Sequence, residues 1–285
     1  MTNDDSLTLP KKLERHYKNA CLAEIEALKP GNVHVFADGH GMQVQDFIKS
    51  AAVSAVAISQ PGLGLGERIY QSVDATWQAV GCNTNLGIIL LCAPIIQSFL
   101  QPASKSVRNQ LIQVIVGTTR VDAEWLFSAI QRANPAGLGR ADSHDVNEVA
   151  QCTLLEAMQS SAEKDFIALQ YSNGFLTIFD EGLPQYQQAL LHFKSSAWAV
   201  TELYLYWLSH YPDSHIVRKY GLETAKQVQV EALAHYDAFK KQSNPKQYFS
   251  ALLTFDQTLK ARGINPGTSA DLTVSSILMH ACVNM

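Results

Sequence analysis

Excess positive charge is missing, and that removes one class of partner. Lys and Arg total 22 against 26 Asp and Glu, for a net charge of −4. No basic stripe is available to neutralise a polyanion, so a nucleic-acid partner is not expected. Cysteine is sparse too. The five (Cys21, Cys82, Cys92, Cys152, Cys282) are odd in number and scattered, with no CxxC pair. That pattern argues against a disulfide framework or a thiolate zinc site and fits a reducing cytoplasm. The longest apolar run, Leu86 to Ile96, is too short to span a bilayer and contains Pro94. The start, Met1-Thr2-Asn3-Asp4-Asp5, is acidic where a secretory leader is basic, and no apolar stretch follows it. Strand alternation is never sustained, and Phe175 to Phe179 is the one ambiguous stretch. Neither a repeat of fixed period nor a low-complexity linker marks a domain boundary. The expectation is a soluble cytoplasmic protein with no membrane contact: one domain over 1–285, with residues 1–10 as a flexible tail.

What the chain does have is 47% apolar residues, enough for a large core, recurring at three- and four-residue steps. The spacing predicts helices over Leu13–Leu28, Phe47–Ser59 with Asp46 as N-cap, Glu67–Ala79, Leu86–Leu100, Val107–Val116 and Val121–Arg132. Further on it predicts Asn147–Ser160, Ala162–Tyr171, Leu190–Leu208, Leu222–Lys240, Pro245–Ala261 and Ala270–Cys282. The fold class is therefore all-α, with a globular orthogonal multi-helix bundle expected rather than an up-down bundle. Gly62-x-Gly-x-Gly66 follows a helix rather than a strand, which excludes a dinucleotide-binding turn. Trp198, Tyr204, Tyr206 and Trp207 recur on one helix as core or subunit contacts, which leaves a homodimer open.

Three polar, glycine-bearing segments interrupt the helices. In the first, Lys29-Pro30-Gly31-Asn32-Val33-His34, Lys29 and Gly31 suit a helix C-terminus. They suit equally an anion contact, with Glu24 and His34 near a metal or a transferring ribose. In the second, Asn83-Thr84-Asn85-Leu86-Gly87, polar residues head a very apolar helix, either as an ordinary cap or as a phosphate cradle of free N–H groups. In the third, Asn265 to Asp271, Thr268 and Ser269 can cap a helix whose first turn carries Asp271. The middle loop adds Asp142, His144 and Asp145, hard ligands suited to Mg²⁺ or simply a solvated cap. Glu67 is an acid at the positive end of a helix dipole.

The order and wording of these segments resemble the ATP:dephospho-CoA triphosphoribosyltransferase family. There the first segment reads as an acid, a short spacer, then Pro-Lys-Pro-Gly, with Leu28 replacing the first proline here. The second reads Asn-Thr-His-Lys-Gly, with Asn85 and Leu86 in place of His and Lys. The third is matched closely by Pro266-Gly267-Thr268-Ser269-Ala270-Asp271-Leu272. A shorter branch in archaea and methylotrophic bacteria shares Asn-Thr-Asn-Leu-Gly and the preceding Gly-Leu-Gly. The resemblance implies a transferase using Mg-ATP, with adenine displaced by a hydroxyl acceptor. Glu24, His34 and Glu67 become candidate catalytic residues. Lys29, Gly31, Asn32, Asn83, Thr84, Asn85, Gly87, Thr268 and Ser269 become candidate substrate contacts, and Asp142, Asp145 and Asp271 candidate Mg²⁺ ligands. The acceptor is expected to be dephospho-CoA or the ribityl group of a methanopterin-type carrier. A non-catalytic nucleotide- or phosphate-binding protein is the alternative class.

Overall fold

A computed structural model describes residues 7–102, 106–135 and 146–285. Fourteen α-helices are present among them, and only two isolated β-bridges, both in the loop after the first helix. The all-α expectation holds.

The helices are α1 (Leu9–Glu26), α2 (Val44–Ile58), α3 (Leu65–Val80), α4 (Leu86–Leu100), α5 (Val107–Val116), α6 (Arg120–Ala133), α7 (Leu154–Ser161) and α8 (Phe166–Asn173). They continue as α9 (Leu183–Phe193), α10 (Ser196–His210), α11 (Ser214–Tyr220), α12 (Leu222–Phe239), α13 (Phe249–Ala261) and α14 (Gly267–Val283). Helix α1 starts at Leu9, inside the stretch expected as tail, because Pro10 suits its first turn. Asp46 is not the N-cap of α2 but the third residue of a capping box opened by Gln43. The helix expected over Leu190–Leu208 is two helices, separated where Lys194 takes φ +51°. The ambiguous Phe175–Phe179 stretch leads into a π-helical turn, Ile178–Gly182. Helix α7 begins at Leu154, later than expected, where Thr153 and Glu156 form a capping box.

Helix α4 is the central element. From Ile88 to Ile96 every side chain is buried, including Pro94. It packs against α1, α2, α3, α5, α8 and α14, and the largest core cluster extends from these helices to residues of α6, α7, α9 and α10. Helix α10 ties that core to two smaller ones. Leu203 and Trp207 enter the first, Tyr204 and Leu208 a second with α11–α13, and Leu205 a third with Phe239 and Leu252.

No helix among the described residues is long and apolar enough to cross a membrane.

Candidate active site

The loop after α1 is held by buried charge. Lys29 is 0% exposed and Glu24 3%, and the two form an ion pair. Lys29 also donates to Asn32 Oδ1 at 2.9 Å, and Asn32 Nδ2 donates to Asn265 Oδ1 at 2.8 Å, joining the first segment to the third. Burial pushes the Glu24 carboxyl up and the Lys29 ammonium down, and their mutual attraction opposes both shifts. Gly31 adopts φ +85°, and its N–H donates to Asp256 Oδ1 at 2.8 Å. Tyr204 Oη donates to Pro30 O at 2.7 Å. The turn is therefore fixed from α10 and α13 as well as α1.

His34 is fully buried. Its Nδ1 accepts from Phe36 N–H at 3.3 Å, so the neutral ring carries its proton on Nε2, which lies 3.3 Å from Asp256 Oδ1. Burial holds the imidazole below its usual pKa despite Asp256. Lys260 completes the group at 3.0 Å from the same carboxylate oxygen. Burial alone would raise Asp256, but His34, the Gly31 N–H and Lys260 outweigh it and hold the carboxyl low. Both ring nitrogens of His34 thus face protein groups, the placement of a brace between the loop and α13 rather than of a base reaching a hydroxyl.

The second segment caps α4 and ties it to α2. Asn83 Oδ1 accepts from Leu86 N–H at 3.1 Å, Thr84 Oγ1 donates to Ser50 Oγ at 2.6 Å, and Asn85 Nδ2 donates to Ser54 Oγ at 3.2 Å. Ser54 in turn lies 3.1 Å from Tyr17 Oη on α1. At Gly87 the backbone has no room for a side chain, because an added Cβ would overlap Asp271 Oδ2 and crowd Ile167. The Asp271 carboxylate therefore lies directly against the first turn of α4, whose N-terminus favours negative charge.

In the third segment, Asp213 joins two helix starts. Its Oδ2 accepts from Ser269 N–H and Ser269 Oγ, each at 2.8 Å, while its Oδ1 accepts from His215 N–H at 2.9 Å and Ile216 N–H at 3.1 Å. Thr268 Oγ1 lies 3.0 Å from Ser214 Oγ. Asp271, one turn on, is half-buried and has no hydrogen-bond donor among the described residues. Burial, then the neighbouring carboxylates of Asp213, Glu24 and Asp165, push its carboxyl well above the usual range, against a weaker pull from Arg218. An unpartnered acid among three others is costly for a fold and useful to a cation.

A profile of the ATP:dephospho-CoA triphosphoribosyl transferase family matches residues 10–284. The chain belongs to this family. It is 30% identical over 101 residues to a Streptococcus mutans protein provisionally named 2-(5''-triphosphoribosyl)-3'-dephosphocoenzyme-A synthase, a match covering 35% of this chain and 33% of that one. It is 29% identical over 109 residues to the Pectobacterium atrosepticum protein of the same name, covering 38% and 34%. These matched stretches span about a third of either relative's length. A crystal structure of a provisionally named triphosphoribosyl-dephospho-CoA synthase from Archaeoglobus fulgidus superposes with a TM-score of 0.61 at 26% identity, covering 81% of this chain and 96% of that one.

In this family member the three glycine-bearing segments meet at one end of the bundle, through Asn32–Asn265 and Gly87–Asp271. Glu67 stands apart. It lies in the first turn of α3, accepts from Gln71 Nε2 at 3.0 Å, and no described contact joins it to Lys29 or Asp271. Asp142, His144 and Asp145 lie outside the described residues. Among the described residues no three His, Cys, Asp or Glu side chains are grouped to ligate a metal by themselves. Asp213, Asp256 and Asp165 escaped sequence reasoning. The only local sign was Asp213 before Ser214, a plausible cap for a helix too short to announce itself by periodicity.

Proposed function

We propose that this chain transfers the triphosphoribosyl group of ATP to a hydroxyl of dephospho-CoA, with Mg²⁺ and with release of adenine. Family membership supports the reaction class, and the observation that carries the site assignment is Asp271, a carboxylate without a donor among the described residues, packed on a glycine at the start of α4. Mg²⁺ commonly takes one or two protein carboxylates and completes its shell with water and substrate phosphates. The donor set here fits that habit. Asp271 would hold the ion, with Glu24 and Asp213 adding negative potential nearby, and the ion when bound would neutralise triphosphate charge.

The protein's own groups divide the remaining work. Lys29 is enclosed, so it acts through Glu24 and Asn32, which it holds in place. Asp213 fixes the start of α14 and hence the direction of Asp271. The N–H groups at the head of α4 offer positive potential to the phosphate chain. In the step itself the bond from the ribose anomeric carbon to adenine breaks, adenine keeps the bonding pair and gains a proton, and the acceptor hydroxyl forms the new C–O bond as it gives up its own. Positive charge develops on the ribose, and carboxylates fixed before the reaction stabilise it without reorganising. Incubation with Mg-ATP and dephospho-CoA should release adenine and add the triphosphoribosyl mass to the acceptor, with neither product formed when Mg²⁺ or acceptor is omitted. Adenine absent from the complete mixture would remove this reading.

A further inference from the structure

In the loop between α1 and α2, Gly39 N–H donates to Met42 O and Met42 N–H to Gly39 O, which makes His40 and Gly41 the middle of a two-residue turn. Both take positive φ, +56° at His40 and +76° at Gly41. A turn of that kind favours Asn, Asp or Gly at its first central position, because other side chains are strained there. A histidine in that place answers to something other than the turn. The loop around it is braced on both sides. Val44 N–H donates to Asp38 Oδ1 at 3.0 Å, and Lys260 Nζ reaches across from α13 to Ala37 O at 3.2 Å.

The ring is oriented as well. His40 Nε2 lies 2.8 Å from Gly31 O, and a carbonyl only accepts, so Nε2 carries the proton of the neutral imidazole. Nδ1 is left as an acceptor without a partner among the described residues, on a half-buried side chain. Burial first, then Lys219 of α11 and Lys260 of α13, hold the ring below its usual pKa against the Gly31 carbonyl and Asp256, so it is neutral at pH 7. The turn on which it leans belongs to the site. An added Cβ on Gly31 would lie 2.9 Å from Pro266 Cδ, and Pro266 directly precedes α14, which carries Asp271. The other histidines at this end are less suited: His34 faces protein groups on both nitrogens, and no hydrogen bond among the described residues sets the tautomer of the His215 ring.

We infer that His40 is the general base of the proposed transfer, its Nδ1 taking the proton of the acceptor hydroxyl. The electron pair freed from that O–H bond forms the new bond to the ribose anomeric carbon. The bond from that carbon to adenine breaks, its pair leaves with adenine, and adenine takes a proton from water. The imidazolium returns its proton to solvent. A neutral imidazole, held by a second group and with one nitrogen open, is what such a step needs. The assignment rests on the reaction proposed above and supplies the base that it requires.

The test removes the ring and keeps the turn. His40→Asn suits a positive φ and should melt no lower than the parent, and His40→Gly is a second variant chosen for the same reason. By calorimetry both should bind Mg-ATP within about twofold of the parent, while adenine release with Mg-ATP and dephospho-CoA at pH 7 falls about a hundredfold or more in kcat. The parent's kcat should be level from about pH 7 to about pH 9, where the ring is neutral throughout. In the variants it should climb with pH, as hydroxide takes over the work of the missing base. A variant with the parent's kcat, or a slowed variant whose kcat is as level with pH as the parent's, would overturn the assignment and leave the reaction standing. A parent that releases no adenine would remove the reaction and the assignment together.

Discussion

The Asp271 carboxylate, which accepts from no donor among the described residues and is set among Asp213, Glu24 and Asp165, costs the native state stability at neutral pH. Because the Asp271 pKa is raised by folding, native protein holds this proton at pH values where the unfolded chain, with an ordinary Asp near about 3.9, has released it. Its contribution to stability is full below about pH 4 and is lost as pH rises toward the raised native value. Asp271→Asn should therefore melt higher than the parent at pH 7, with the advantage fading toward pH 4, while its Mg²⁺-dependent nucleotide binding is lost. Thermal melts across pH beside calorimetry check both halves. Lys29 presents the opposite case, a charge whose removal strands its partner. Lys29→Met should cost about 3–5 kcal/mol by leaving Glu24 buried and unpaired, and Glu24→Gln added to it should recover much of that in equilibrium denaturation. A single variant as stable as the double would contradict the pairing. At this scale Lys29, Gly31 and Asp271 were legible because each sits in a glycine-bearing turn that breaks a periodic pattern. Asp256 was not, since its bond to Gly31 closes across 225 residues and nothing local marks it. The burial of His34 beside Asp256 was not legible for the same reason, since only the fold supplies that neighbour.

Among the helices, the pair α11 and α14 decides how the site is aimed. One buried carboxylate, Asp213, accepts four hydrogen bonds from the starts of both helices. Asp213→Ala should lower stability by about 2–5 kcal/mol through lost charge-assisted bonds and caps. Hydrogen exchange should locate the loosening in the first turns of α11 and α14, and unchanged protection at Ser269 would argue against the coupling. Sequence periodicity placed α4 and α5 at their observed ends because strong apolar runs end there in turn residues. It could not see α11, which has seven residues, nor the break at Lys194, where a residue other than Gly or Pro turns left-handed. Glycine at position 87 reads locally as a poor helix former. Its reason is tertiary: the helix must let Asp271 approach, and the sequence holds no trace of that approach.

For the molecule as a whole, α4 crosses the core as a nearly continuous apolar rod and α14 as a buried helix whose Thr273, Ser275 and Ser276 hydroxyls bond back to its own carbonyls, and the polar starts of both lie together at one end with the turn that follows α1. The all-α class and the polar character of these helix ends were readable from composition and spacing, since both follow from where apolar residues cannot continue. The convergence itself was an inference from chemistry, and it depends on packing that one sequence does not display. The central claim is that this end of the bundle holds a divalent cation with a nucleotide triphosphate at Asp271. Its most direct test is an anomalous difference map from crystals grown with Mn²⁺, as a stand-in for Mg²⁺, and a non-hydrolysable ATP analogue. The account predicts a peak about 2.1 Å from an Asp271 carboxylate oxygen and from phosphate oxygens, absent in Asp271→Asn. A peak on ordered nucleotide elsewhere in the molecule, with Asp271 unliganded, would contradict it.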